Sequence, residues 1–391
     1  MSAANDGDVL RAQHLSSQVR LHRQHQRVFR VNGCAIDQLT PAIDTVRIQH
    51  RQEILLGRVF GQLLVKQRRL FVTQLLFQRF PGDRIEIEVP NSNRVSSQSV
   101  PNSRTDEPLR DRISELAGAD VSTMSSVSGG DFATAYRVEL ADGRAVFAKT
   151  HADPPPGFFT TEANGLAWLA EPGVINVANV VGVADDSPAC LILDWIDLGR
   201  TRTPAGEASF GRALAQLHKA GAPSFGREDR RTTGSLALPN DPCDNWPKFY
   251  ADRRLRSLAE IAAQRGALPT HTIDDLLEVA DRLADFPAAD EPPARLHGDL
   301  WAGNRVVDQE GQSWLIDPAC HGGHREFDLA MMALFGGFGS EAFAAYDEEF
   351  PLAERWPERI PLHQLAPLVV HAIKFGGGYV PGVQQALAAL G

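Results

Sequence analysis

The stretch RLHGDLWAGNRVVDQEGQSWLIDPA, residues 295–319, sets two aspartates and an asparagine around two short apolar runs. Asp299 and Asn304 stand five apart, and Asp317 follows the second run. Asp and Asn are common in turns because their side chains bond nearby backbone, so each alone says little. Together they can do chemistry. The runs NRVV and SWLI flank DQEGQ as a β-hairpin with Asp317 ending its second strand, and strands of similar length bring Asn304 and Asp317 back beside each other. Two such oxygen ligands suit Mg²⁺, which takes a few protein oxygens and completes its shell with phosphate and water. Asp299 is then left to orient and deprotonate a hydroxyl.

That division of labour is what phosphoryl transfer from ATP requires: positioning, charge neutralisation, and a base for the acceptor hydroxyl. The offset from Asp299 to Asn304 equals that of Asp and Asn in the protein-kinase pattern H-R-D-L-x-x-x-N, with Gly298 here in place of Arg. The other parts have candidates upstream in the same chain order. Gly129 and Gly130, in SGGDFATAYRV, would let backbone amides approach phosphate oxygens, although a Gly-Gly between strands is often only a turn. Lys149 ends the apolar alternation of RAVFAK. Glu162 has Leu166 and Leu169 four and seven residues on, which puts its carboxylate on the inward face of a helix. An inward carboxylate needs a partner, and Lys149 on the neighbouring sheet is the natural one. The buried run ACLILDWIDLG turns polar where two lobes would meet, and its backbone at Asp194, Trp195 and Ile196 could bond an adenine edge.

Plainer roles fit the remaining polar residues. His218 and His371 read as satisfied or packed helix residues. Asp328, opening an apolar helix, reads as a cap or an anchor for the catalytic loop rather than a ligand.

The elements that must position these groups form an α+β chain. EPLRDRISELAG reads as a short helix closed by Gly118. ATAYRVEL and RAVFAKT read as strands joined by an Asp-Gly hairpin signal, TTEANGLAWLA as a helix, and the segment around ADDSP as two more strands. After Gly199 helical spacing dominates, over 208–220, 246–265, 271–285, 340–350 and 361–374, with the hairpin as the one interruption. Residues 106–198 are thus expected to form a small sheet-rich lobe and 199–391 a helical lobe carrying the catalytic loop.

Residues 1–105 are of another kind. They hold no Trp or Tyr, one Lys, and 15 basic against 8 acidic residues, whereas 106–391 hold 24 against 41. A basic amphipathic extension and a small regulatory domain are two readings of this segment. The irregular periodicity and foreign composition fit a third better: translated sequence upstream of a true start near Val100. The acidic balance of the larger part argues against nucleic acid as a partner. The absence of a long apolar run argues against a membrane span, and four scattered cysteines without a CxxC pair, with no signal-peptide pattern, suggest a reducing, cytoplasmic setting. A monomer is the expectation.

From about residue 106 onward the chain resembles the fructosamine kinase (ketosamine-3-kinase) family, within the aminoglycoside-phosphotransferase-like and protein-kinase-like enzymes. HGDxxxxN followed by Asp marks that whole group. LHGDLWAGN with Trp301, IDPACHGGHREFDLAMMALFGGF, LHQLAPLVVHAIKFGGGY and DPCDNWPKFYADRRLRSL are closer to the family itself. The resemblance implies a protein-kinase-like bilobal fold, with a small antiparallel N-lobe and a mainly helical C-lobe. It implies that Asp299 is the base toward the sugar 3-hydroxyl of a ketosamine, free or protein-linked, whose phosphorylated product sheds its sugar and so repairs glycated amines. It implies too that Asn304 and Asp317 hold Mg²⁺, that Lys149 meets the ATP α/β-phosphates and Glu162 holds that lysine, and that Trp301 faces the sugar. Cys320-His321 departs from the small or aromatic residues usual at that place. An aminoglycoside- or choline-type phosphotransferase on the same fold, and a nucleotide-binding pseudokinase scaffold, are the competing readings; the intact set of five polar residues opposes the second.

Overall fold

The computed structural model describes residues 107–127, 133–199, 202–229, 236 and 238–391. The basic N-terminal segment and the Gly129–Gly130 pair lie outside the described residues.

The described residues open on helix α1 (Glu107–Ala117), followed by strands β1 (Val121–Val127), β2 (Thr134–Leu140) and β3 (Ala145–Thr150), helix α2 (Phe158–Ala170), and strands β4 (Asn176–Val177), β5 (Val180–Ala184) and β6 (Cys190–Asp194). Five of these strands form one antiparallel sheet in the order β1-β2-β3-β6-β5. The Asp-Gly turn joins β2 to β3 as expected. β1 was not expected, because VSTMSSV is polar on both faces; only pairing with β2 makes it a strand. Leu109 and Ile113 of α1 pack on Val138, Val146 and Ile192 of the sheet, so one face is closed by the amphipathic helix.

The second part is helical: α3 (Pro204–Lys219), α4 (Trp246–Tyr250), a π-turn (Ala251–Arg256), α5 (Ser257–Arg265), α6 (Thr270–Asp281), α7 (Glu326–Phe335), α8 (Ser340–Glu349), α9 (Ile360–Phe375) and α10 (Val380–Ala388). Helix α3 starts four residues earlier than its apolar spacing suggests, because Thr203 accepts a hydrogen bond from Gly206 N (3.0 Å) with Pro204 in the first turn. The span 246–265 is continuous but passes through one wide turn, where Arg254 is buried and donates to Pro239 O (2.6 Å) and Asn240 Oδ1 (2.9 Å).

The hairpin is β8 (Arg305–Val307) with β9 (Ser313–Leu315). It is not the sole interruption of the helical part. β7 (Ala294–Leu296) and β10 (His321–Gly323) pair antiparallel on either side of the catalytic loop and hairpin. Glycine-rich HGG carries no strand signal; Gly322 is there because a Cβ would meet Ser224 O at 1.9 Å. β4 adds to β9 in parallel, so a strand from the sheet-rich part is hydrogen-bonded to the hairpin that carries Asn304 and Asp317. The apolar core repeats this join: Phe159, Leu166 and Leu169 of α2 share one cluster with Leu300, Leu315 and Leu329. No helix among the described residues is long and apolar enough to cross a membrane.

Candidate active site

Lys149 faces inward from β3 and is 8% exposed; Glu162 on α2 is 6% exposed. Their side chains meet at 2.8 Å, and the same Nζ lies 2.5 Å from Asp317 Oδ1. Burial alone would push an ammonium toward its neutral form, but the carboxylates of Glu162 and Asp317 outweigh it and hold Lys149 protonated beyond the ordinary lysine range. The pairing inferred from helical spacing is therefore present, and it extends across to the hairpin.

Asp317 lies two residues beyond β9 rather than ending it, with φ of 54°, in the left-handed region. A non-glycine residue held there is strained, and such strain collects where side-chain aim matters. The bond from Ile316 N to Asn304 O (3.1 Å) closes the hairpin base. Asn304 Nδ2 donates to Asp299 O (2.9 Å), Asp299 Oδ2 (3.0 Å) and Asp317 O (3.3 Å). With the amide nitrogen so engaged, its carbonyl oxygen is left as a hard donor. The Asn304 amide oxygen and the Asp317 carboxylate are the kind of hard donors that a divalent cation such as Mg²⁺ takes.

Asp299 is half-buried, and desolvation pushes its carboxyl up to about 7, while Lys374 and the Asn304 hydrogen bond pull against that rise. Its loop is held by two groups. His297 Nδ1 accepts from Asp299 N (3.2 Å) and its Nε2 bonds Ile316 O (2.9 Å), the pattern of a neutral ring with the proton on Nε2; burial accordingly lowers its pKa. Asp328, fully buried on α7, accepts from His297 N (2.7 Å) and Gly298 N (2.9 Å). Burial would raise it, but bonds from His218 and the loop amides prevail and keep it below the usual carboxylate range. His218 also bonds Tyr346 Oη (2.8 Å), so it is the satisfied core histidine expected. Gly298, at φ 79°, lets the loop pass Ala319 O, which a Cβ would approach to 2.1 Å.

Trp301 lies over Gly303, where a Cβ would come within 2.2 Å of its ring, and its edge meets Phe335 with centroids 6.4 Å apart. Of the three residues at the lobe junction, the Asp194 and Trp195 amides are used in the protein, bonding Asn179 O (3.0 Å) and Ala145 O (3.4 Å). The Ile196 amide makes no hydrogen bond with the described residues, which leaves it as the donor of that trio. Cys320 and His321, the odd pair of the sequence, are both buried: Cys320 Sγ donates to Gly165 O (3.4 Å), and His321 packs between Phe249 and Phe327. They shape the core rather than line the cleft.

Two groups that act on Asp299 were not picked out from sequence. His297 was visible as the first residue of HGD. Lys374, quoted only within a family segment, lies 75 residues from Asp299 in the chain, and no local spacing connects the two.

Glu162, Lys149, Asp317, Asn304 and Asp299 are thus joined by direct contacts. The fructosamine kinase family model matches residues 107–390. This chain belongs to the fructosamine kinase family. It is 35% identical over 263 residues to a "probable ketoamine kinase" of Enterococcus faecium, covering 67% of this chain and 92% of that one. It is 32% identical over 281 residues to the chloroplastic protein-ribulosamine 3-kinase of Arabidopsis thaliana, covering 70% and 85%. A crystallised Thermobifida fusca protein assigned as a fructosamine-3-kinase superposes with a TM-score of 0.67 at 41% identity, over 72% of this chain and 97% of that one. The fold is the protein-kinase-like α+β bilobal one, and the family makes this chain an ATP-dependent phosphotransferase.

Proposed function

We propose that this protein transfers the γ-phosphoryl group of ATP to the sugar 3-hydroxyl of a ketosamine, with Asp299 as the base. The observation that carries the reading is the continuous bonded path Glu162–Lys149–Asp317–Asn304–Asp299, which joins the phosphate-binding side of the cleft to the hydroxyl side. Asp299, with a carboxyl near 7, accepts the hydroxyl proton on its Oδ1 or Oδ2 near neutral pH. Asn304 orients that carboxylate through Nδ2. Lys149, kept charged by its two carboxylates, draws in the α/β-phosphates, and Glu162 fixes where that charge sits. Asn304 and Asp317 would hold Mg²⁺, which when bound neutralises phosphate charge. The Ile196 amide, with Asp194 and Trp195 shaping the turn, meets the adenine edge, and Gly129–Gly130 would cover the phosphates. Trp301 offers an apolar face to the sugar ring.

A monomer in a cytoplasmic setting, with free or protein-linked ketosamines as substrates, belongs to the same proposal. ATP consumption with fructosyl- and ribulosyl-lysine, set against kanamycin and choline, tests it. Turnover of the ketosamines alone is expected; turnover of kanamycin or choline alone would replace the reading with its competitor.

A further inference from the structure

Lys149 bridges two carboxylates carried by different elements, Glu162 on α2 and Asp317 after the hairpin, at 2.8 and 2.5 Å. One ammonium serves both only while α2 stands at a set distance from the segment that follows Asp317. Gly165 comes three residues after Glu162, so it lies along the same side of the helix, and it is buried there. A Cβ at Gly165 would come to 3.3 Å from Cys320 Sγ, 3.3 Å from Arg227 Nη1 and 3.5 Å from Pro318 Cγ. Pro318 and Cys320 are the first and third residues beyond Asp317. The helix and this segment therefore touch one turn away from the place where the lysine joins them, and a methyl group there is crowded.

The contact is held from both sides. Cys320 Sγ donates to Gly165 O (3.4 Å), and the Cys320 carbonyl accepts from Asn240 Nδ2 (3.3 Å). Ala319 N donates to His297 O (2.9 Å), and His321 pairs with Leu296 where β10 meets β7. Cys320 is thus stitched to the strand and loop that lead into Asp299, and it has nowhere to retreat. On the helix side, Trp168 gives its carbonyl to Arg295 Nη1 (2.5 Å), and Glu171 takes the same nitrogen at 2.6 Å. The Arg227 guanidinium, over the Trp168 ring at 5.3 Å and paired with Asp229 at 2.7 Å, ends a long side chain and can yield. The sulfur, one bond from its Cβ on a fixed backbone, cannot.

We propose that Gly165 and Cys320 are positioning residues, which set the gap between α2 and the segment after Asp317 at the width where Lys149 reaches Glu162 and Asp317 together, and so fix where its charge meets the ATP phosphates. The inference rests on the reading of Lys149 as the phosphate-binding cation. It gives a reason for a glycine inside a helix, where alanine is the better helix former, and for the cysteine that departs from the residues usual at its place. Burial holds the Cys320 thiol far above the ordinary range, so the sulfur serves through its size and its bond to Gly165 O rather than through reactivity.

The test reads ATP affinity by titration calorimetry, which needs no acceptor, beside steady-state kinetics with fructosyl-lysine. Gly165→Ala favours the helix and should fold at least as well as the wild type, yet its methyl group widens the gap. Its Kd for ATP should weaken about tenfold and its kcat fall by about as much, with the KM for fructosyl-lysine unmoved. Cys320→Val crowds the same gap from the other side and should act alike. The double variant Gly165→Ala/Cys320→Ala takes the sulfur out as the methyl group goes in, and should recover most of the loss. A Gly165→Ala enzyme with wild-type ATP affinity and kcat, or a double variant no better than Gly165→Ala, overturns the positioning role while leaving Lys149 its assignment. If Lys149→Met binds ATP as tightly as the wild type, the phosphate reading of Lys149 falls and the inference with it.

Discussion

As the proposed base, Asp299 serves two opposed demands. A base for a sugar hydroxyl works best when its pKa lies near the working pH, and desolvation by burial moves this carboxyl up to about 7. On the acid side kcat/KM should rise about tenfold per pH unit and level off above about 7; a profile flat across that range in steady-state assays would contradict the assignment. The same shift lowers stability. A folded-state pKa above the unfolded value of 3.8 means that the folded chain binds this proton more tightly, so the group costs stability increasingly as pH climbs from about 4 to about 7. Asp299→Asn removes the titrating group. It should lower kcat by about 10³-fold and raise the melting temperature at pH 8 by roughly 2–4 °C. Unchanged turnover would remove Asp299 from the mechanism. The presence of this residue was legible in the sequence, because the offset to Asn304 is local. Its altered acidity was not, because burial and the charge of Lys374 come from elements distant in the chain.

At the scale of elements, the catalytic loop is shaped less by its own residues than by what grips it. β7 and β10 pair on either side of it, and α7 supplies Asp328, which takes two loop amides and the His218 ring at once. Asp328→Ala leaves those buried donors without an acceptor and should cost about 3 kcal/mol in denaturant unfolding, with a loss in kcat larger than any change in KM for ATP. Asp328→Asn keeps one acceptor oxygen and should recover part of both; a silent alanine variant would show that the loop holds itself. The sequence marked Asp328 as a cap or an anchor, and the geometry selects the anchor. The β7–β10 pair could not be read in advance, since a three-residue strand with two glycines has no periodicity and exists only through its partner. The Lys149–Glu162 pair could be read, because helical spacing put the carboxylate inward and a buried charge requires a counter-charge.

At the scale of the molecule, the helical part is braced by ion pairs that do no chemistry. Glu326 on α7 takes the Arg359 guanidinium with both carboxylate oxygens, His363 on α9 stands 3.4 Å away, and His324 packs on His363. This buried His-Glu-His group has the composition of a metal site, but the guanidinium occupies the carboxylate, while His324 bonds Ala288 O through Nε2 and Glu326 N through Nδ1. It is a strut between the catalytic-loop side and α9. Burial alone would raise Glu326, yet His363 and Arg359 bring it down to about 2, so its stabilisation is present above the unfolded value of 4.5 and is lost as pH falls toward 2. Glu326→Gln should lose about 2–4 kcal/mol at pH 7, with the difference from wild type vanishing near the acid limit and KM for ATP unmoved. A constant difference at all pH values would mean that packing, not charge, is what the carboxylate supplies. The sequence by itself determined the residue types of the phosphotransfer set, their order, and the hairpin that returns Asn304 to Asp317, because each of these depends on spacing within a few turns of chain. Only the tertiary structure decided what holds the loop and how acidic Asp299 is, because desolvation and charge act through space between residues that the chain keeps far apart.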